Sequence, residues 1–227
     1  MALGGWFLGL LLGVRHALEP DHLTAVSTLV VEHHGARRGA WLGVLWGLGH
    51  TGALLTVGIL LALFDATLPQ RLADAFELAV AIMLVGLGVR SIRRSLSEAL
   101  HGHPYEHRHG QSSHVHPSAQ QHLHVGRWTF ATRSLAVGTV HGLAGSGALT
   151  VLVLAGMPST LARLVYLLIF GAGSIAGMAL LSGFAGWPLA RLGQHRRLAR
   201  GVMFATGALS LGLGFIWGAP LIGRVLG

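Results

Sequence analysis

Apolar residues run along this chain in long blocks, set apart by short stretches rich in Arg, His, Gly and Pro. A helix needs about 20 residues to cross a ~30 Å hydrocarbon core. Six blocks reach that length, at residues 5–31, 39–64, 74–92, 134–157, 161–187 and 201–223. The pattern therefore predicts an all-α integral membrane protein with six transmembrane helices. One stretch breaks the apolar rule inside a block: Arg15-His16-Ala17-Leu18-Glu19-Pro20-Asp21-His22. Pro20 lacks an N–H and clashes with the preceding turn, so the first helix is expected to kink or break there.

Composition agrees with a polytopic membrane chain. Of 227 residues 52% are hydrophobic and 11% charged, and the mean hydropathy is +0.61, too apolar for an ordinary soluble domain. The net charge of +8 comes from Arg without any Lys. Loops 1–2, 3–4 and 5–6 hold Arg37, Arg38, Arg90, Arg93, Arg94, Arg108, Arg127, Arg133, Arg191, Arg196, Arg197 and Arg200, against Arg71, Arg163 and Arg224 on the other side. That bias is a topology signal and argues against a nucleic-acid surface: the twelve-Arg side is expected in the cytoplasm of a cell inner (plasma) membrane, with both termini outside. Residues 1–13 carry no Lys or Arg and read as the start of the first span, not as a signal peptide. With no cysteine, His and carboxylates are the strong metal ligands available.

An internal repeat is visible. Gly13-Val14-Arg15-His16-Ala17-Leu18 aligns with Gly138-Thr139-Val140-His141-Gly142-Leu143 at an offset of 125. Gly47-Leu48-Gly49-His50 falls on Gly171-Ala172-Gly173-Ser174 at 124, and Gly86-Leu87-Gly88 on Gly212-Leu213-Gly214 at 126. Three matches in order at nearly constant offset mark a repeat. With three spans per half, the second half enters the membrane inverted, as the Arg bias also requires. The expected organisation is a first repeat over residues 1–100, a His-rich cytoplasmic loop over 101–127, and an inverted second repeat over 128–227. Inverted 3+3 repeats are a recurrent transporter architecture, with the site at the midplane beside interrupted helices. Pro20 and Gly145-Ser146-Gly147 are the expected interruptions. Glycine ladders at Gly5, Gly9 and Gly13, and at Gly39, Gly43 and Gly47, suit close helix packing.

Ionisable side chains at membrane depth are costly and normally serve a site. On an unbroken helix His16 and His22 would lie about 240° apart. A bend at Pro20 brings His16, Asp21 and His22 toward one ion, and His50 and His141, in spans two and four, are candidates to join them. Neutral imidazole with carboxylate suits a divalent transition metal. Such ligands must be deprotonated, so binding is expected to weaken as pH falls through the His range. Arg15 and Glu19, four apart, are expected to pair as counter-ions. Thr51, Ser146, Thr150 and Ser174 are candidates to hydrogen-bond the ligands. The 3–4 loop holds eight His in four His-x-His pairs: His101/His103, His107/His109, His114/His116 and His122/His124. Alternate residues of an extended chain point the same way, so each pair can chelate, and the loop reads as an unstructured tether that buffers or senses metal.

On these residues the chain resembles the nickel/cobalt transporter family (NiCoT) of the NicO superfamily. The family hallmarks are an Arg-His-Ala-x-Asp-Ala-Asp-His segment and, in the next helix, Leu-Gly-His-Ser/Thr. They appear here as residues 15–22 and as Leu48-Gly49-His50-Thr51. Glu19-Pro20 replaces Asp-Ala, and six spans stand where many family importers have eight. The segment His141-Gly142-Leu143-Ala144-Gly145-Ser146-Gly147 looks more like the shorter members, which include urease-accessory membrane proteins and exporters with a His-rich loop. The resemblance implies that His16, Asp21, His22 and His50 recognise Ni²⁺ or Co²⁺ as transported cargo, with no prosthetic group and no enzymatic activity.

The function expected from sequence is alternating-access transport of nickel or cobalt. A competing expectation is a non-transporting accessory protein or sensor that presents nickel to a cytoplasmic nickel-enzyme maturation machinery through the His-rich loop. A third is an intramembrane metalloenzyme or a serine hydrolase built on Ser146 near His141. The spans offer too few ligands for a di-iron site, and Gly145-Ser146-Gly147 lacks the wider nucleophile-elbow pattern.

Overall fold

The computed structural model describes residues 2–31, 35–64, 68–100, 106–109, 112–115, 127–144, 159–192 and 195–226. Seven helices stand among the described residues: α1 (Ala2–His16), α2 (Pro20–Val31), α3 (Ala36–Leu63), α4 (Gln70–Leu100), α5 (Arg127–Leu143), α6 (Thr160–Leu192) and α7 (Arg196–Leu226). Four of them contain stretches long and apolar enough to cross a membrane, at residues 36–61, 70–97, 160–188 and 197–225. Large apolar side chains, including Phe7, Trp41, Ile82, Leu180, Phe184 and Ile216, cover the outside, as a lipid-facing surface requires. The protein is a helical membrane protein.

The expected first span is two helices. The chain leaves helical geometry over residues 17–19, and Pro20 occupies the first turn of α2, where its missing N–H costs nothing. Short i+3 bonds close the end of α1, Leu18 N–H to the Arg15 carbonyl (2.9 Å) and Glu19 N–H to that of His16 (3.0 Å). The first bond of α2 runs from Leu23 N–H to the Glu19 carbonyl (3.0 Å). Of the expected fourth span, α5 covers the beginning. Residues 145–158, with the expected interruption at Gly145-Ser146-Gly147, lie outside the described residues.

Close helix approach follows the glycines. On α3, Gly39, Gly43 and Gly47 lie against backbone atoms of Ser182, Met178 and Ile175 of α6, so an added Cβ would strike the partner main chain at all three. Gly9 and Gly13 of α1 pack on Tyr166 and Phe170 of the same helix, but Gly5 faces open space and does not extend that ladder. The contacts recur at the repeat offset. Gly13 meets the Phe170 carbonyl and Gly138 that of Trp46; Gly173 meets the Leu10 carbonyl and Gly49 that of Leu135; Gly88 meets Gly207 and Leu211, and Gly214 meets Ala81 and Val85. Each pair maps onto its partner by adding 124 to 126 to one member and subtracting it from the other. Thus α1 packs on α6 as α5 packs on α3, while α3 faces α6 and α4 faces α7. Leu29, Leu42, Trp46, Leu84 and Met178 fill the shared core.

In the His-rich loop the structure places a two-stranded antiparallel hairpin, β1 (Glu106–His109) and β2 (Ser112–Val115), with His107 opposite His114. The sequence reading expects an unstructured tether there. The His-x-His spacing that suggests chelation is also the two-residue period of a strand. His101, His103, His116, His122 and His124 lie outside the described residues.

Candidate metal centre

Where α1 stops and α2 starts, five donors meet. His16 closes α1, Asp21 and His22 open α2, His50 sits near the middle of α3, and His141 lies in the last turn of α5. All five are buried, His50 completely. Two of these elements, α1 and α5, present their carbonyl ends here, which carry partial negative charge and favour a cation. At the amino end of α2 the positive end of the dipole steadies the Asp21 carboxylate.

The donors touch one another directly. His16 Nε2 is 3.2 Å from His50 Nε2, Asp21 Oδ1 is 3.1 Å from His22 Nδ1, and Asp21 Oδ2 is 2.7 Å from His141 Nε2. Asp21 thus links two histidines 119 positions apart in sequence, His22 and His141. Four ring nitrogens, His16 Nδ1, His22 Nε2, His50 Nδ1 and His141 Nδ1, are buried without a hydrogen-bond partner among the described residues. A buried unpaired polar atom costs about 1–3 kcal/mol, so four at one place require a compensating ligand or function. Potential ligand atoms fall into two groups, each within 4.8 Å: His16, His22 and His50; and Asp21, His22 and His141. The five metal-site residues expected within the apolar spans, His16, Asp21, His22, His50 and His141, are brought into this cluster.

Two aromatic rings close its sides. Phe170 lies 5.5 Å from His16 between ring centroids. Trp46 stacks on His22 at 5.8 Å and lies 5.6 Å from His141. Sequence reasoning did not single these two out. The signal was present, since Trp46 and Phe170 are aligned by the repeat and each precedes the aligned His50 or Ser174 by four residues, on the same helix face.

The surrounding residues divide differently from expectation. Glu19 does not pair with Arg15; its Oε2 lies 3.0 Å from His16 Nδ1, inside ion-pair distance but off the hydrogen-bonding direction. The four-residue rule needs a continuous helix, and α1 ends between the two. Arg15 is exposed. Thr51 donates to the Gly171 carbonyl (3.3 Å), fixing to α6 the turn of α3 that carries His50. Ser174 is fully buried, and its hydroxyl has no partner among the described residues. Ser146 and Thr150 lie outside the described residues.

Residues 3–223 match the NicO family, described as high-affinity nickel-transport protein. The chain belongs to the NicO family. It is 33% identical over 209 residues to the urease accessory protein UreH of Bacillus sp. strain TB-90, spanning 89% of this chain and 85% of that protein. Chloroplast protein FOR GROWTH AND FERTILITY 1 of Arabidopsis thaliana is 28% identical over 225 residues, 94% of this chain and 59% of the relative. A high-affinity nickel transport protein of Cupriavidus necator shares 36% over 76 residues, 33% of this chain and 21% of its own length. No solved structure matches. NicO proteins are metal transport and accessory proteins, not enzymes, which removes the metalloenzyme and hydrolase expectations.

Proposed function

We propose that this NicO protein moves Ni²⁺ or Co²⁺ across a membrane, taking the ion from water onto the imidazoles of His16, His22, His50 and His141 and the carboxylate of Asp21. The observation that carries this reading is the buried cluster itself. Four imidazoles, an acid and four ring nitrogens without a hydrogen bond among the described residues are too expensive to maintain at membrane depth without a ligand. Nitrogen and carboxylate oxygen suit nickel and cobalt better than magnesium or calcium, which prefer all-oxygen shells. The helix ends that converge here are the interrupted elements on which transporters build midplane sites.

Six spans in two inverted halves, residues 1–100 and 128–227, alternating access between inward and outward states, and a cytoplasmic His-rich loop complete the proposal. The reciprocal glycine contacts support the two-fold relation, and the Arg bias supports both termini outside. His16→Ala is expected to abolish accumulation or loss of radiolabelled nickel by expressing cells, with the variant still recovered folded from the membrane. Flux equal to the parent's would remove His16 from the route. Parent-expressing cells that gain nickel and become sensitive identify an importer; cells that lose it and become resistant identify an exporter.

The similarity to the urease accessory protein UreH favours one further reading, an accessory role without transport that presents nickel to maturation proteins of a urease-type enzyme through the loop. Deleting residues 101–124 separates the two. Nickel flux measured in cells is expected to stay near the parent level if the loop buffers metal. If the parent itself moves no nickel, and deleting the loop abolishes activation of a co-expressed nickel enzyme, the protein is an accessory that delivers through the loop.

A further inference from the structure

We propose that the buried cluster is two metal stations sharing one imidazole, and that the cation passes between them by ligand exchange at His22. This rests on the transport reading above and specifies the route.

His22 is the one residue common to both donor groups. Its Nδ1 faces Asp21 Oδ1 at 3.1 Å, and its Nε2 is buried without a partner among the described residues. The two ring nitrogens of an imidazole point in diverging directions in the ring plane, and in the neutral ring only the one without a proton ligates, so His22 serves one station at a time and its ring proton passes to the nitrogen the ion leaves. Nδ1 therefore serves the Asp21/His141 side, leaving Nε2 for the His16/His50 side. Donors on a single ion at about 2.1 Å stand no more than ~4.2 Å apart. The His16–His50 and Asp21–His141 contacts, 3.2 and 2.7 Å, meet that limit separately. The ring centroids of His50 and His141 are 6.1 Å apart, against 4.0 Å for His22–His141 and 4.4 Å for His16–His22.

The stations follow the repeat. One contains His16 beside Phe170, the other His141 beside Trp46, and both residues of each pair are aligned at offsets of 125 and 124. In an inverted repeat, aligned positions lie toward opposite faces of the membrane. An ion handed across His22 therefore changes sides. The chemistry of the stations also differs. The first is neutral and all nitrogen, with the half-exposed Glu19 carboxylate at its edge; the second includes Asp21 and holds a dication more firmly.

The test uses full-length protein with the eight loop histidines changed to Gln, purified and titrated with nickel chloride by calorimetry, with X-ray absorption counting imidazoles. Asp21→Asn with His141→Gln is expected to keep a site of three imidazoles, and His16→Gln with His50→Gln a site of two. Each should still bind nickel, more weakly than the parent, with the larger loss on removing Asp21 and His141, while His22→Gln loses both stations. Should a double variant not fold, His141→Gln and His50→Gln singly give the same comparison. Complete loss of binding in either folded background overturns the two-station arrangement and leaves the transport reading standing. No buried nickel in the unsubstituted site would end the transport reading itself.

Discussion

Asp21→Asn lowers nickel flux by roughly 100-fold or more, since losing even a residue that only orients a metal ligand costs about 10–100-fold, and leaves the protein in the membrane. Asn preserves the shape of the side chain and can still hydrogen-bond His22 and His141, so the fold should survive. With Glu19 half-exposed at the edge, what disappears is the enclosed carboxylate of the cluster. A divalent ion stripped of water at membrane depth depends on that charge, because neutral imidazoles alone offset little of its lost hydration. Asp21 also links α2 to α5, through His141 Nε2 at 2.7 Å. Radiolabelled nickel flux normalised to folded protein measures the effect. Near-parent flux in Asp21→Asn would show that the carboxylate orders the histidines without holding the ion.

Gly138→Val abolishes recovery of folded protein, and Gly86→Val does not. A Cβ on Gly138 would enter the space of the Trp46 carbonyl and indole, whereas one on Gly86 meets nothing within 4 Å. Extra carbon in a packed core usually costs about 1–3 kcal/mol. The obstacle here is partly main chain, which cannot rotate aside as a side chain can, so α5 must move away from α3. That movement would also pull His141 from Asp21. Folded yield and thermal melting of detergent-purified protein check the pair. Equal behaviour of the two variants would mean that the α3/α5 seam tolerates separation.

Much of the centre was legible because its chemistry is local. The donors stand out as ionisable residues inside apolar blocks, and Pro20 marks where the helix must stop. The break also resolves the geometric objection to joining His16 with His22. On one helix they point about 240° apart, but on the facing ends of two helices their rings lie 4.4 Å apart. The same break defeats the expected Arg15–Glu19 pair, since spacing rules hold only along an unbroken element. Trp46 and Phe170 escaped notice because an aromatic in an apolar block looks like any core or lipid-facing residue until its neighbours are known. In the loop, one two-residue period described both a chelating pair and a strand, and composition alone did not separate them.

By itself the chain determined that apolar helices pack in a membrane, that nitrogen and oxygen donors sit at their depth, and that the first apolar block is interrupted at Pro20. These follow from transfer free energy and backbone sterics, which act residue by residue. Tertiary structure decided which donors meet: Asp21 with His141, His16 with His50, and His22 between the two groups. Those pairings depend on how far helices distant in sequence approach and rotate. That distance and rotation are set by glycine contacts along both sides of α3, a property of the assembled interface and not of any segment within it.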